Sequence, residues 1–150
     1  MSASKIWINA KLLTSTAHIP EYSTEFSAGA DLCADINEPI LILPHRTVKI
    51  PTGVAMAIPE GYFGAIYARS GLATKHGLRP ANAVGIIDAD FRGGLIVALH
   101  NDTDDAEVIE PGQKIAQIVF QKFKEAYFNE VDDLDETKRG SGGFGSTGKF

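Results

Sequence analysis

The chain has 150 residues, 44% of them hydrophobic, with 14 basic against 19 acidic side chains and a formal net charge of −5. That length fits one domain with a core of its own, and an acidic balance without a basic block excludes a nucleic-acid duplex as the expected partner. The lone cysteine, Cys33, excludes an internal disulfide framework, and His18, His45, His76 and His100 stand at no metal-ligand spacing.

The chain begins "MSASKIWINAKLL", which lacks the continuous apolar core of a secretory leader, and no stretch approaches the roughly 18 apolar residues of a membrane span. With one cysteine, this predicts a cytoplasmic protein. Short runs rich in Ile, Val, Leu and aromatics then recur: "KIWINAKLL", "ADLCADI", "ILIL", "TVKIPTGVAMAIP", "YFGAIYA", "GIIDADF", "GLIVALHN", "AEVIE" and "KIAQIVFQKF". Runs of this length, broken by Pro and Gly roughly every 8–12 residues, predict an all-β barrel or sandwich. Helical periodicity is nearly absent. "SGLATKHG" is the one short helix expected, with Ser70 as cap and Gly77 as stop. "GIIDADFRGGLIVAL" reads as a hairpin around a Gly-bearing turn. Cys33, among apolar neighbours, reads as a buried inert thiol.

From Val131 the composition turns acidic and then Gly/Ser-rich, too poor in apolar residues to pack alone. This divides the chain into a β domain over residues 1–130 and an arm with a mobile Gly-rich tail over 131–150. Within the tail, "GFGSTGK" (143–149) matches most of a P-loop. A P-loop needs a strand before it, a helix after it and a Ser or Thr behind the lysine; here Phe150 follows. The glycines still suit an anion, because successive backbone N–H groups form anion-binding nests. A strap closing over a phosphate held elsewhere in the fold is the better use of them.

Other stretches could supply that phosphate site. In "ARSGLA", Arg69 is a bidentate phosphate donor and Ser70 opens the helix; an ordinary capped turn with a surface arginine fits equally well. In "GIIDADFRGG", Asp88 and Asp90 stand at i and i+2, suited to a general base or a metal ligand, although acids in turns are the commoner case. Phe91 offers a stacking ring or a core side chain. Gln117, in the apolar "GQKIAQIVF", needs hydrogen-bond partners within the core or from a ligand.

Together, "AGADLCA" (28–34), "ARSGLA" (68–73), "GIIDADFRGG" (85–94), "GQKIAQIVF" (112–120) and "RGSGGFGSTG" (139–148) resemble, in order, the five motifs of the trimeric dUTPase family. The resemblance spans nearly the whole chain. It implies a jelly-roll-like β-barrel of the β-clip type with one short helix. It also implies hydrolysis of dUTP to dUMP and pyrophosphate with Mg2+, keeping dUTP low and supplying dUMP, in a homotrimer with shared active sites.

Carried onto this sequence, the family makes Asp88 the base that activates water for attack on the α-phosphorus. Asn82 and the backbone of Gly85, Ile86 and Ile87 would read uracil, with Ile96 walling the pocket. Phe91 would pack on deoxyribose, where the family usually has Tyr. Arg69, Ser70, Gly71 and Gln117 would contact the phosphates, and Asp31 would act on the Mg2+ water shell indirectly. Arg139 would bind the γ-phosphate, Phe144 would stack over uracil, and Gly145, Ser146 and Thr147 would close on the phosphates from a neighbouring subunit. Two alternatives share the fold. A dCTP deaminase carries Glu before the glycine of the third motif, where this chain has Arg92. A non-catalytic regulatory protein would bind dUTP only as a switch.

Overall fold

The computed structural model describes residues 5–149, so the first four residues of the leader reading lie outside it. Twelve strands and one helix are present among the described residues, in the order β1 (Asn9–Leu12), β2 (Glu21–Tyr22), β3 (Ala30–Cys33), β4 (Ile40–Ile42), β5 (Thr47–Pro51), β6 (Val54–Ala57), β7 (Tyr62–Tyr67), α1 (Ser70–His76), β8 (Leu78–Pro80), β9 (Gly85–Ile87), β10 (Ile96–Asn101), β11 (Glu107–Ile109) and β12 (Lys114–Lys122). No described helix is long and apolar enough to cross a membrane. The all-β class with one short helix is as the sequence predicts. The strands do not close into one ring; they lie in four antiparallel sheets, β1-β6, β5-β10-β8, β11-β4 and β2-β3-β12-β7-β9.

The inward faces converge on one aliphatic core. Leu32, Ile42, Ile50, Leu78, Leu95, Leu99, Ile109, Ile115 and Ile118 are each essentially without solvent contact. Alternation drives this: β10 buries Val97, Leu99 and Asn101 while Ile96, Ala98 and His100 face outward to differing degrees. The buried amide of Asn101 is fully used. It donates to the carbonyls of Ile42 (3.0 Å) and Asp105 (2.7 Å) and accepts from the Thr103 backbone (2.9 Å) and hydroxyl (2.8 Å).

Three local expectations need correction. The predicted hairpin of "GIIDADFRGGLIVAL" does not form. Both edges of β10 are occupied, by β5 and β8, so β9 pairs with β7 in another sheet. The run "TVKIPTGVAMAIP" is two strands, divided where Gly53 takes φ 66°, a conformation other residues seldom adopt. Ser70 is the first helical residue and not the cap; Arg69, in extended conformation, occupies the N-cap position and makes no side-chain capping bond. Gly77 does stop the helix, in the left-handed region at φ 61°. Two short strands, β2 and β8, escape any apolar-run reading because "EY" and "LRP" are too brief to show a period.

Candidate active site

The five-stranded sheet brings two motif residues side by side with the end of β7. Antiparallel pairing sets Asp31 of β3 opposite Gln117 of β12, and Gln117 opposite Tyr67 of β7. The chain leaving β7 then carries Arg69, Ser70 and Gly71 over this row. These residues line a cavity of about 710 Å³ with Ser23, Gly29 and Val119. Gln117 donates from Nε2 to the Ala68 carbonyl at 2.9 Å, which ties β12 to the segment bearing Arg69. Gly29 is required by space: a Cβ there would sit 2.4 Å from Gln117 Oε1.

Asp31 is the electrostatic centre of this row. Its side chain is 8% exposed, yet both oxygens are engaged: Oδ1 by Arg69 Nε at 3.0 Å, Oδ2 by Lys114 Nζ at 2.8 Å and by the Ser23 hydroxyl at 2.6 Å. Burial pushes its pKa up. The hydrogen bonds from Lys114 and Ser23 and the charges of Arg69 and Lys114 outweigh burial, so the carboxyl ends below its ordinary 3.8 and is ionised at neutral pH. Burial, then the Asp31 charge, push the nearby half-buried Cys33 thiol above its ordinary value, in keeping with an inert thiol.

The third-motif residues form a separate group. Asn82 lies in the turn between β8 and β9, where Ala83 takes φ 61° and donates its N–H to the Pro80 carbonyl. Gly85 is buried in β9 opposite Ile66, and a Cβ there would come within 3.2 Å of Ile66 and 3.5 Å of the Asn82 amide nitrogen, so the backbone packs closely against both. Ile86 and Ile96 point to solvent with more than half their surface exposed, and Phe91 is 43% exposed. Asp88 is exposed, and its carbonyl accepts the Phe91 N–H at 3.2 Å.

Asp88 and Arg69 are not brought together. Ile87 pairs with Gly64 near the start of β7, whereas Arg69 lies beyond the opposite end of that strand, at the start of α1. The tail is a third group. Arg139 donates from Nε to the Gly142 carbonyl at 2.8 Å, and Ser146 N–H bonds back to Gly143, so these contacts stay within the tail. Phe144 is fully exposed at φ 47°, Gly145 takes φ 88°, and Ser146 and Thr147 are exposed.

A family model described as dUTPase matches residues 15–148. The chain belongs to the dUTPase family. Among curated dUTPases it is 48% identical over 138 residues to the deoxyuridine 5'-triphosphate nucleotidohydrolase of Rickettsia felis, covering 92% of this chain and 93% of that protein. It is 49% identical over 140 residues to that of Chlamydia caviae, covering 91% and 95%. Among solved structures, the dUTPase of Staphylococcus bacteriophage 80alpha with dUPNHPP superimposes with a TM-score of 0.86 at 29% identity, covering 96% of this chain and 99% of the phage protein. A mutant dUTPase from phage phi11 of S. aureus, described with a structural Mg(II) ion, matches with a TM-score of 0.76 at 26% identity, covering 86% and 99%.

Within this dUTPase frame, motif matching overlooks Ser23 and Lys114, the two groups that hold Asp31 Oδ2. Ser23 belongs to no motif. Lys114 lies inside one, but strict alternation along "KIAQ" puts it on the face opposite Gln117.

Proposed function

We infer that this protein hydrolyses dUTP to dUMP and pyrophosphate. The observation that carries this reading is the cavity on the central sheet. In a chain of net charge −5, Arg69 is held on a buried, ionised Asp31 and lines one cavity with Ser70, Gly71 and Gln117, at the family's motif positions. A guanidinium held in a fixed direction suits phosphate oxygens. At the other end of β7, the β8–β9 turn sets the backbone of Gly85 close beside Asn82, whose side chain is exposed. A base could be read there by hydrogen bonds from backbone and amide. Ile86, Ile87, Ile96 and the Phe91 ring supply the apolar walls for base and sugar.

The reaction is an in-line displacement. Asp88 takes a proton from water, the water oxygen bonds to the α-phosphorus, and the bond to the bridging oxygen breaks with its electrons leaving on pyrophosphate. Arg69 and Gln117 hold the phosphate oxygens as charge moves to the leaving group.

Asp88 and Arg69 at opposite ends of β7 support a site shared between copies of the chain, a homotrimer in which one copy's cavity faces another's β9 segment. Residues 1–130 bind nucleotide, and residues 131–150 supply the arm. From there Arg139 reaches the γ-phosphate, Phe144 covers uracil, and Gly145, Ser146 and Thr147 close over the phosphates. The large exposed side chains of Tyr127 and Phe128, just before that arm, and of Leu134 within it suit a neighbouring copy.

Magnesium fits this donor set as a companion of the substrate. The described residues bring no three acidic or histidine groups together, and Asp31, the only carboxylate lining the cavity, is already bonded through both oxygens. A hard cation would therefore take phosphate oxygens and water as ligands, with Asp31 reaching at most a coordinated water. Bound there, it would neutralise charge on the phosphates. We place the protein in the cytoplasm.

The deciding experiment is pyrophosphate release from dUTP, UTP, dTTP and dCTP, with and without Mg2+, for the wild type and Asp88→Asn. The expectation is release from dUTP alone, needing Mg2+, and a fall of about 10²–10⁴-fold in Asp88→Asn with nucleotide binding intact. Full turnover by Asp88→Asn would remove it from the role of base.

A further inference from the structure

The ladder between β12 and β3 breaks step at one point. Gln117 pairs with Asp31 and Ala116 with Leu32, but Lys114, not Ile115, pairs with Cys33. One extra residue has been inserted into β12, the signature of a β-bulge. The consequence is a change of parity. Side chains alternate along a regular strand, so residues three apart face opposite ways. Asp31 and Cys33 are two apart in β3 and share a face. Gln117 is opposite the first and Lys114 opposite the second, so the bulge brings Lys114 round to the face of Asp31 and Gln117. Ile115, the residue skipped, is fully buried in the core.

The reach of Lys114 agrees with this geometry. Its Nζ lies 2.8 Å from Asp31 Oδ2 and 3.3 Å from the Ser23 hydroxyl, which itself donates to the same Oδ2. It does not line the cavity. An ion pair between two exposed groups would contribute little, but Asp31 is 8% exposed and a carboxylate so placed needs its partners. With Oδ2 fixed from one side, Oδ1 is directed at Arg69 Nε. Binding through Nε leaves the two terminal nitrogens of the guanidinium for a ligand.

We propose that Lys114 is a positioning residue of this site: carried to Asp31 by the bulge in β12, it fixes the carboxylate that aims Arg69 into the phosphate cavity. The proposal rests on the reading of this cavity as the triphosphate site of dUTP hydrolysis. Lys114 acts through Asp31 and touches neither substrate nor metal.

The test combines Lys114→Met, Lys114→Arg, Asp31→Asn and the Lys114→Met/Asp31→Asn double variant. Each is measured for kcat and KM on dUTP with saturating Mg2+, for Kd of the imido analogue dUPNHPP, and for thermal midpoint. Lys114→Met should lower kcat/KM about tenfold, mainly through KM, as expected of a displaced phosphate donor, and weaken the analogue to match. Lys114→Arg should restore most of the loss. The double variant should bind no worse than Asp31→Asn alone, because both changes act on one unit. A Lys114→Met protein with wild-type kcat/KM overturns the proposal, whether or not its midpoint falls. So does an effect that adds fully to that of Asp31→Asn, which would put Lys114 on the substrate itself. A wild type that releases no pyrophosphate from dUTP overturns the activity and this proposal together; an unaffected Lys114→Met in an active background overturns the proposal alone.

Discussion

Replacing Gly29 by alanine tests whether the row Asp31–Gln117–Ala68 is as tightly built as its distances imply. The added Cβ would stand 2.4 Å from Gln117 Oε1 and 3.0 Å from Gln117 Cβ and Cδ, against the 3.4 Å at which ordinary contact begins. The amide must therefore retreat by about 1 Å, and it cannot do so while donating to the Ala68 carbonyl at 2.9 Å. Losing that bond costs about 1 kcal/mol. The contact with Cβ belongs to the strand and not to a flexible end, so overpacking adds about 1–3 kcal/mol. For a domain of this size the total lowers the thermal midpoint by roughly 4–16 °C, followed by circular dichroism, and kcat/KM for dUTP should fall with it, as the proposed phosphate contact of Gln117 requires. Gln117→Ala removes Oε1 and Cδ, so Gly29→Ala should cost distinctly less in that background. A Gly29→Ala protein with the wild-type midpoint, or one equally destabilised with and without Gln117, would refute the packing argument.

Asn101→Asp should lower the urea midpoint by an amount equivalent to about 3 kcal/mol at neutral pH, since it aims a carboxylate oxygen at the Ile42 and Asp105 carbonyls that the amide now serves. An unchanged midpoint would show that the site takes water. Deleting residues 139–150 should leave the unfolding curve of the β domain intact but cut dUTP turnover about a hundredfold; unchanged turnover would end the strap assignment. Asp31 has its pKa depressed by its partners, so its contribution to stability is fully present above pH 3.8 and is lost as the pH falls through the lower folded value. The stability of Asp31→Asn should accordingly lie below that of the wild type at neutral pH and converge with it only under pH 3.8, as followed by urea unfolding across that range.

The fold class was legible because nine apolar runs were separated by Pro and Gly, and most strands formed at or within those runs. What pairs with what was not legible. "GIIDADFRGGLIVAL" carries every local sign of a hairpin, yet β10 satisfies its two edges with β5 and β8, and neither is the strand that the turn would have joined to it. Tertiary pairing overrode turn chemistry there. The candidate site residues were found as motifs, but their grouping needed register: only the ladder shows that Asp31, Gln117 and the end of β7 form one row while Asp88, following β9, lies beside the opposite end of β7. Lys114 was hidden for a sharper reason. A bulge leaves almost no mark in an apolar strand such as "KIAQIVF", and one inserted residue reverses which side chains share a face.

The same carboxylate cannot serve a metal and an arginine equally. An ionised Asp offers about four acceptor positions. In Asp31 the Ser23 hydroxyl and Lys114 take both on Oδ2, and Arg69 Nε takes one on Oδ1. A single lone pair on Oδ1 is left over. Three charge-assisted or short bonds hold Asp31 against the protein for that one position left over, so its first consequence is the direction of Arg69. On the proposed reading, an ionised, nearly buried carboxylate with a fixed guanidinium beside it would be a preorganised phosphate receptor before any nucleotide arrives, and that preorganisation is where such a site would gain over mobile surface arginines. If Arg69 takes the triphosphate as proposed, a magnesium ion would need no cage in the protein, because the triphosphate would bring the oxygen ligands with it.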